Sequence, residues 1–190
     1  MQNSSINKFK NLYLLSIKKE GEIIYKTLRD MDFENKRVLL RAEYNVPMGD
    51  NCQITDDKRI AFSTSTIRYL VKHNAKVIII AHMGRPKGKD DKSLKMDCIA
   101  KRLSTLLSLP VKKLDNCIGP EIEAYTNSMK PGEIVLLENL RFYDEEEAKE
   151  EKVRDEFGKK LARLADIYVN EAFANCHRDH ASMTAVPKFI

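Results

Sequence analysis

A continuous apolar run, Val77-Ile78-Ile79-Ile80-Ala81, constrains the fold of this chain more than any other feature of its sequence. Successive side chains of a β-strand point to opposite faces of the sheet, so an uninterrupted apolar run needs cover on both faces. Such strands are typical of parallel sheets that carry helices on both sides. The run therefore predicts a strand inside a parallel sheet, away from water.

Short apolar runs and helical patterns alternate along the chain from Lys36 onward. Further strands are predicted at 38–40, near Val111, at 134–137 and at 167–169, and helices at 56–73, 94–107, 119–129 and 145–164. For the first helix, Thr55 is the expected N-cap and Asn74 the expected stop. This order predicts a single α/β domain, a doubly wound parallel sheet with helices on both faces of the Rossmann-like class.

Residues 1–24 are predicted to be an extension, disordered or loosely helical, in front of a domain that spans residues 25–190. No acidic residue precedes Glu20, and four lysines flank a short apolar segment at 12–15. That segment is too short for a secretory signal, and transit peptides usually carry arginine, which is absent before Arg29. We expect a cytoplasmic protein, with targeting to an organelle through this basic extension as the alternative.

The composition limits the classes of partner. The net charge of the 190 residues is +5 and the pI about 8.9, but acidic and basic residues alternate, whereas nucleic-acid binding usually needs a concentrated basic stripe. The four cysteines form no C-x-x-C pair, which predicts reduced thiols in a cytosolic-type compartment. No apolar stretch approaches the length of a membrane span. We expect a monomer without nucleic-acid or membrane partners.

Five polar segments at or beyond the predicted strand ends carry most of the chemistry, except that Arg59 lies at the start of the following helix. They are 41–47 (RAEYNVP), 55–59 (TDDKR), 82–86 (HMGRP), 138–142 (ENLRF) and 177–180 (HRDH). Ligands of open parallel sheets bind beyond the carboxyl ends of the strands. One cleft there would hold Arg59, Arg85, Arg141 and Arg178. Because such a cluster is unfavourable without an anion, we predict a small, multiply charged ligand, a phosphate ester that bears a carboxylate.

Simpler interpretations exist for parts of these segments. Asn45 and Pro47 would also stabilise an ordinary turn, and Arg141 would also pair with the acidic run at 144–147.

Two other kinds of site are excluded by spacing. Only three residues separate Gly84 from Gly88, and Asp90 stands where a P-loop needs Ser or Thr. Cys176 and His177 lack the second ligand pair that a zinc site requires. No metal site is predicted.

With these segments in this order, the chain from about Thr27 to Ile190 resembles the phosphoglycerate kinases. The family patterns R-x-D-[FY]-N-V-P, I-T-[DN]-[DN]-x-R-I, S-H-x-G-R-P, L-L-E-N-[LV]-R-[FY] and A-H-R-x-H-A-S correspond to residues 41–47, 54–60, 81–86, 136–142 and 176–182. The resemblance implies phosphoryl transfer between 1,3-bisphosphoglycerate and Mg-ADP, giving 3-phosphoglycerate and Mg-ATP. It also implies that a second, carboxy-terminal domain, absent here, binds the nucleotide and magnesium, so no cofactor is expected on this chain.

The resemblance also assigns roles to individual residues. Toward the carboxylate and hydroxyl end of the substrate it places Glu43, Asn45 and Arg59. Toward the phosphate it places His82, Arg85, Arg141 and Arg178, with His177 beside them and Gly84 allowing close approach of the backbone. Arg59 is the predicted catalytic residue, because phosphoryl transfer depends mainly on positioning and neutralisation of charge.

Some residues depart from the family patterns, and three of these departures bear on the predicted site or on the segment after it. Glu43 replaces an aspartate, and Glu171 and Ala174 replace the aspartate and glycine of N-D-A-F-G. The extra methylene at Glu43 matters because a misplacement of about 1 Å can cost about a hundredfold in rate. Three hypotheses follow: the substrate half of a phosphoglycerate kinase, a non-catalytic stand-alone phosphoglycerate-binding module, and a truncated remnant that binds nothing. None predicts turnover by this chain alone.

Overall fold

A five-stranded parallel sheet lies at the centre of the described part of the chain. The computed structural model describes residues 15–19, 22–49, 52–87 and 91–190. The strands are β1 (Leu15–Lys19), β2 (Glu22–Lys26), β3 (Arg37–Arg41), β4 (Lys76–Ile80), β5 (Lys112–Lys113), β6 (Ile134–Leu136) and β7 (Ile167–Asn170). The α-helices are α1 (Lys58–Lys72), α2 (Asp97–Leu107), α3 (Pro120–Ser128) and α4 (Glu151–Ala162). The parallel strands are ordered β5-β6-β4-β3-β7.

Short turns complete the described elements. There are 3₁₀ turns at Leu28–Asp30, Lys92–Leu94, Leu140–Phe142, Asp144–Glu146, Phe173–Asn175 and Val186–Lys188, and a π turn at Ala181–Ala185. None of the helices described is both long and apolar enough to cross a lipid bilayer.

Strand β4 is the middle strand of the sheet, as the apolar run predicted. It pairs in parallel with β3 on one side and β6 on the other, and Val77 to Ala81 are fully buried. Its odd-numbered side chains pack in a cluster with Ile67 of α1 and Leu103 of α2. Its even-numbered ones pack with Ile122 of α3 and Leu161 of α4. Helices therefore cover both faces, and the predicted doubly wound fold is confirmed.

The ends of α1 show one correct and one wrong prediction. Asn74 has a φ of 58° directly after the helix, a left-handed conformation that asparagine tolerates better than most residues, so the predicted stop is confirmed. The predicted N-cap is wrong, because the hydroxyl of Thr55 donates to the Pro47 carbonyl at 3.3 Å. Asp56 accepts from the Lys58 amide at 2.9 Å instead, and α1 begins later than expected.

Helix α4 begins at Glu151, six residues later than predicted, and packs directly on the π turn. The acidic residues before it form the 3₁₀ turn Asp144–Glu146, in which Glu146 is buried. A Cβ built on Gly158 would lie 2.5 Å from the Cβ of Ala185 and 2.9 Å from its carbonyl carbon. Glycine at this position therefore allows helix and turn to touch backbone to backbone.

The described part of the amino-terminal extension differs from the prediction. Strands β1 and β2 form an antiparallel pair with Leu15 opposite Lys26 and Lys19 opposite Glu22, where residues 1–24 were expected to be disordered or loosely helical. The apolar-polar alternation of Leu15-Ser16-Ile17-Lys18 is the period of a strand, and this signal was missed. Residues 1–14 and the two residues between the strands lie outside the described residues.

Two of the four cysteines are joined in a disulfide, which corrects the prediction of reduced thiols. Cys52 and Cys98 are bonded with their Cα atoms 5.7 Å apart and 46 residues apart in sequence. Cys117 and Cys176 are free thiols, the first buried and the second exposed. Spacing along the chain could not reveal the pair, because it joins the loop after β3 to the first turn of α2.

We expect this disulfide to stabilise the fold. Replacing both cysteines by serine (Cys52→Ser with Cys98→Ser) should lower the free energy of unfolding by about 2 to 4 kcal/mol, because the cross-link restricts the unfolded chain. Chemical denaturation of the unreduced protein measures this, with Cys176→Ser as the control at an exposed free thiol. A titration that finds all four thiols free in the unreduced, unfolded protein would contradict the bond.

Candidate functional site

A polar cavity opens at the carboxyl end of the sheet, where β3, β4, β6 and β7 end. Its volume is about 440 Å³, large enough for a small phosphate ester. It is lined by Glu43, Asn45, Arg59, His82, Gly84, Arg85, Arg141, Ala174, Asn175 and Arg178. Every residue to which a binding role was assigned is in this lining except His177, which is exposed.

Glu43 holds two of its neighbours at once. Its Oε1 accepts from Arg59 Nη1 at 3.1 Å, and its Oε2 accepts from the Asn175 side-chain amide. The extra methylene relative to aspartate is thus used to span from α1 to the loop after β7. Asn175 was not identified from the sequence, since no pattern linked it to position 43.

The loop after β4 is fixed by amide side chains. Gly84 has a φ of 61°, and a Cβ there would lie 2.7 Å from the Leu94 side chain. Its backbone N–H donates to Asn45 Oδ1 at 2.9 Å. The buried Asn139 side chain donates to the Met83 carbonyl at 2.8 Å and accepts from the Met83 amide at 3.2 Å. The glycine is therefore required at this turn, and the turn presents backbone to the cavity.

The buried side chain of Arg41 sets the tautomer of His82. Arg41 Nη2 lies 2.9 Å from His82 Nδ1, and because a guanidinium only donates, Nδ1 must accept. Burial, reinforced by the positive charges of Arg41 and Arg141, lowers the pKa of His82 to about 2. The ring is therefore neutral and carries its proton on Nε2, which leaves one N–H donor for a ligand in the cavity.

Arg41 itself is held by a buried network. Its Nε donates to Ser182 Oγ at 2.9 Å, and this hydroxyl donates to Glu146 Oε1 at 2.5 Å. Glu146 Oε2 accepts from the Ser182 amide at 2.9 Å. Burial raises the pKa of Glu146, while the charge of Arg41 opposes this shift. The network thus connects to the cavity through His82. The sequence assigned no role to Arg41, Ser182 or Glu146.

The four arginines predicted to share the cavity are in two different states. Arg59 pairs with Glu43, and Arg141 pairs with Glu147 at 2.6 Å. Across residues 15–19, 22–49, 52–87 and 91–190, Arg85 and Arg178 have no carboxylate within ion-pair distance, and the Nε of Arg178 is buried without a hydrogen-bond partner. The cavity thus offers two uncompensated cations to an anionic ligand.

The same family is found by comparison of the whole chain with known proteins. The sequence model described as "Phosphoglycerate kinase" matches residues 28–190. The chain belongs to the phosphoglycerate kinase family.

Relatives in this family cover the chain to similar extents. The phosphoglycerate kinase of Dictyoglomus turgidum is 54% identical over 163 residues, which are 86% of this chain and 40% of the relative. The chloroplastic phosphoglycerate kinase of Chlamydomonas reinhardtii is 47% identical over 173 residues, 89% of this chain and 37% of the relative. The chain therefore spans about 40% of the length of the curated relatives that it matches.

Solved phosphoglycerate kinases share the fold. The enzyme of Pyrococcus horikoshii superposes with a TM-score of 0.73 at 35% identity, covering 83% of this chain and 39% of that one. The enzyme of Coxiella burnetii gives a TM-score of 0.71 at 32% identity, covering 85% and 39%. The parallel sheet with helices on both faces is thus the family fold.

Of the residues that depart from the family patterns, Glu43 and Ala174 line the cavity, and Glu171 directly follows β7. Glu171 is buried and accepts from Thr66 Oγ1 of α1 at 2.5 Å. Ala174 lines the cavity beside Asn175. Glu43 and Glu171 thus each tie α1 to the segment that follows β7.

The described residues do not form a magnesium or zinc site. No group of three His, Cys, Asp or Glu side chains among them is arranged to hold a metal ion. Of the carboxylates at the cavity, Glu43 and Glu147 are already engaged with arginines.

We expect His82 to stay neutral, with its proton on Nε2, from pH 7 down to pH 4. Nitrogen-15 NMR of the imidazole reports both properties, and His82→Gln identifies the signals. Because the folded pKa lies below the unfolded value of about 6.5, the unfolded state binds the extra proton, and the free energy of unfolding should fall as the pH drops below about 6.5. Titration of His82 with a midpoint near 6.5 would contradict the Arg41 contact.

Proposed function

We propose that this chain binds 3-phosphoglycerate and 1,3-bisphosphoglycerate as the substrate-binding half of a phosphoglycerate kinase. The observation that carries the proposal is a single cavity that gathers the family's motif residues and leaves Arg85 and Arg178 uncompensated. Membership of the family supports the reaction, phosphoryl transfer between 1,3-bisphosphoglycerate and ADP. We expect this chain alone to bind its ligand without turnover.

Two ends of the cavity suit two ends of the substrate. Glu43 and Asn45 supply acceptors and an amide for the hydroxyl and carboxylate of the triose. Arg85 and Arg178 supply N–H donors for the phosphate, and His82 adds its Nε2–H. Charge-assisted hydrogen bonds of this kind are about twice as strong as neutral ones, so the doubly charged phosphate dominates the binding energy.

Arg59 is the proposed catalytic residue of this half. Glu43 and the Asn45 carbonyl fix one of its Nη atoms at 3.1 and 2.9 Å, while the side chain remains half exposed. A guanidinium held in this way at the cavity mouth can neutralise charge on a transferring phosphoryl group without first reorganising. Nucleotide and magnesium would be bound by residues outside this chain.

The remaining parts of the proposal concern context. We propose a monomer in the cytoplasm without nucleic-acid or membrane partners. Because relatives named chloroplastic match the same region, an organelle remains the alternative location, and fractionation of the source cells distinguishes the two.

Calorimetry with 3-phosphoglycerate tests the proposed site. We expect Arg178→Ala to weaken binding by about 1.5 to 3 kcal/mol, the usual contribution of a hydrogen bond to a charged group, which is about ten- to a hundredfold in affinity. Lys149→Ala removes an equal charge from an exposed side chain outside the cavity and should change little. Equal losses in both variants would indicate a diffuse basic surface in place of a defined site.

A further prediction concerns Glu43, which stands where the family pattern has aspartate. Glu43→Asp should weaken 3-phosphoglycerate binding by about 1 kcal/mol, because the shorter side chain cannot keep both Arg59 and Asn175 and one hydrogen bond is lost. The same titration measures it. Tighter binding by the aspartate variant would show that the extra methylene impairs the site.

A further inference from the structure

Glu147, which no motif assigns to the site, contacts Arg141 at the edge of the cavity. Arg141 Nη2 donates to Glu147 Oε1 at 2.6 Å, and His180 Nε2 lies 3.3 Å from the same oxygen. The side chain of Arg141 is 6% exposed and that of Glu147 is 44% exposed. The ion pair therefore joins the half-exposed carboxylate of Glu147 to the almost buried guanidinium of Arg141.

The contact with Glu147 reduces the capacity of Arg141 to bind phosphate. The other terminal nitrogen, Nη1, donates to the Gly84 carbonyl at 2.7 Å. An arginine recognises phosphate best with two parallel N–H groups of one edge. Arg141 still has free N–H donors, because each terminal nitrogen carries two hydrogens and its Nε is buried without a hydrogen-bond partner among the described residues. Its positive charge, however, is already neutralised by Glu147, so a phosphate that pairs fully with Arg141 has to displace that carboxylate. Glu147 is the partner that can leave, because its side chain can turn into water whereas the Gly84 carbonyl is backbone.

The backbone next to Glu147 is held firmly in place. Arg154 Nη1 donates to the carbonyls of Ala148 and Lys149, both at 2.7 Å, and its Nη2 donates to Asp179, the neighbour of His180. The arginine thus clamps the segment after Glu147 to the segment that carries His180. A carboxylate held in this way competes at a high effective concentration, as any tethered group does.

We propose that Glu147 is a built-in counter-anion, which competes with the ligand's phosphate for Arg141 and thereby sets the affinity of the cavity for anions. The identity of the ligand, a dianionic phosphate monoester, rests on the proposed function, whereas the competition rests on the contacts of Glu147 alone. A singly charged carboxylate gains too little to displace Glu147, so the arrangement favours phosphate esters.

The test compares Glu147→Gln with Glu150→Gln in the full chain. The Glu150→Gln substitution also removes one negative charge. It serves as the control because Glu150 precedes α4 and its side chain makes no capping hydrogen bond. Calorimetry with 3-phosphoglycerate and with inorganic phosphate should show binding about threefold to tenfold tighter in Glu147→Gln, as expected for loss of a partly buried ion pair, and unchanged in Glu150→Gln. The affinity of Glu147→Gln should also fall more steeply with salt, because its ligand meets an unpaired Arg141.

The outcomes separate the inference from the proposed function. Equal or weaker binding by Glu147→Gln, in a protein whose thermal unfolding is unchanged, overturns the inference and makes Glu147 a structural partner of Arg141. A gain that persists when Arg141→Ala is added also overturns it, since competition acts only through Arg141. If inorganic phosphate binds more tightly to Glu147→Gln but 3-phosphoglycerate binds to neither protein, the inference stands and the proposed function fails. If neither anion binds to either protein, both fail.

Discussion

The buried guanidinium of Arg41 is the interaction on which the rest of the site depends. It ends β3, contacts His82 after β4, and reaches Ser182 in the π turn, which in turn holds Glu146. A buried cation without partners costs several kcal/mol, so the segments that satisfy it have to come together for the domain to fold. The same contacts orient His82, which lines the cavity, so the core and the site depend on one interaction.

A cluster of arginines without a bound anion would be expected to destabilise the protein, yet carboxylates of the domain neutralise two of the four arginines. Glu43 and Glu147 each neutralise one arginine, while Arg85 and Arg178 are left to the ligand. The uncompensated charge is therefore about two positive charges, which equals that of one phosphate dianion in magnitude and is opposite in sign. The carboxylates of the domain thus limit the repulsion among these arginines and still leave two cations at the cavity.

The sequence predicted those features that follow from local pattern. The apolar run at β4 located the central strand, Asn74 ended α1, and the motif residues placed the cavity at the carboxyl end of the sheet. Features that depend on distant partners could not be predicted. Cys52 and Cys98 are 46 residues apart and come together only through the packing of α2. The side-chain amide of Asn175 donates to the carboxylate of Glu43, which lies 132 residues earlier in the sequence. Thr55 does not cap α1 because its hydroxyl donates to the Pro47 carbonyl instead. The N-cap propensity of threonine cannot predict that competing contact.

The absence of a side chain at position 158 has a mechanical consequence. With the backbones of α4 and the π turn in direct contact, no compressible layer of side chains lies between them, and close-packed atoms transmit displacement with little loss. The loop that carries Arg178 runs straight into that turn. We therefore expect helix and loop to move together, so that a displacement of α4 also shifts the segment that carries Arg178. Any pivot for movement of this loop has to lie on its other side, toward β7.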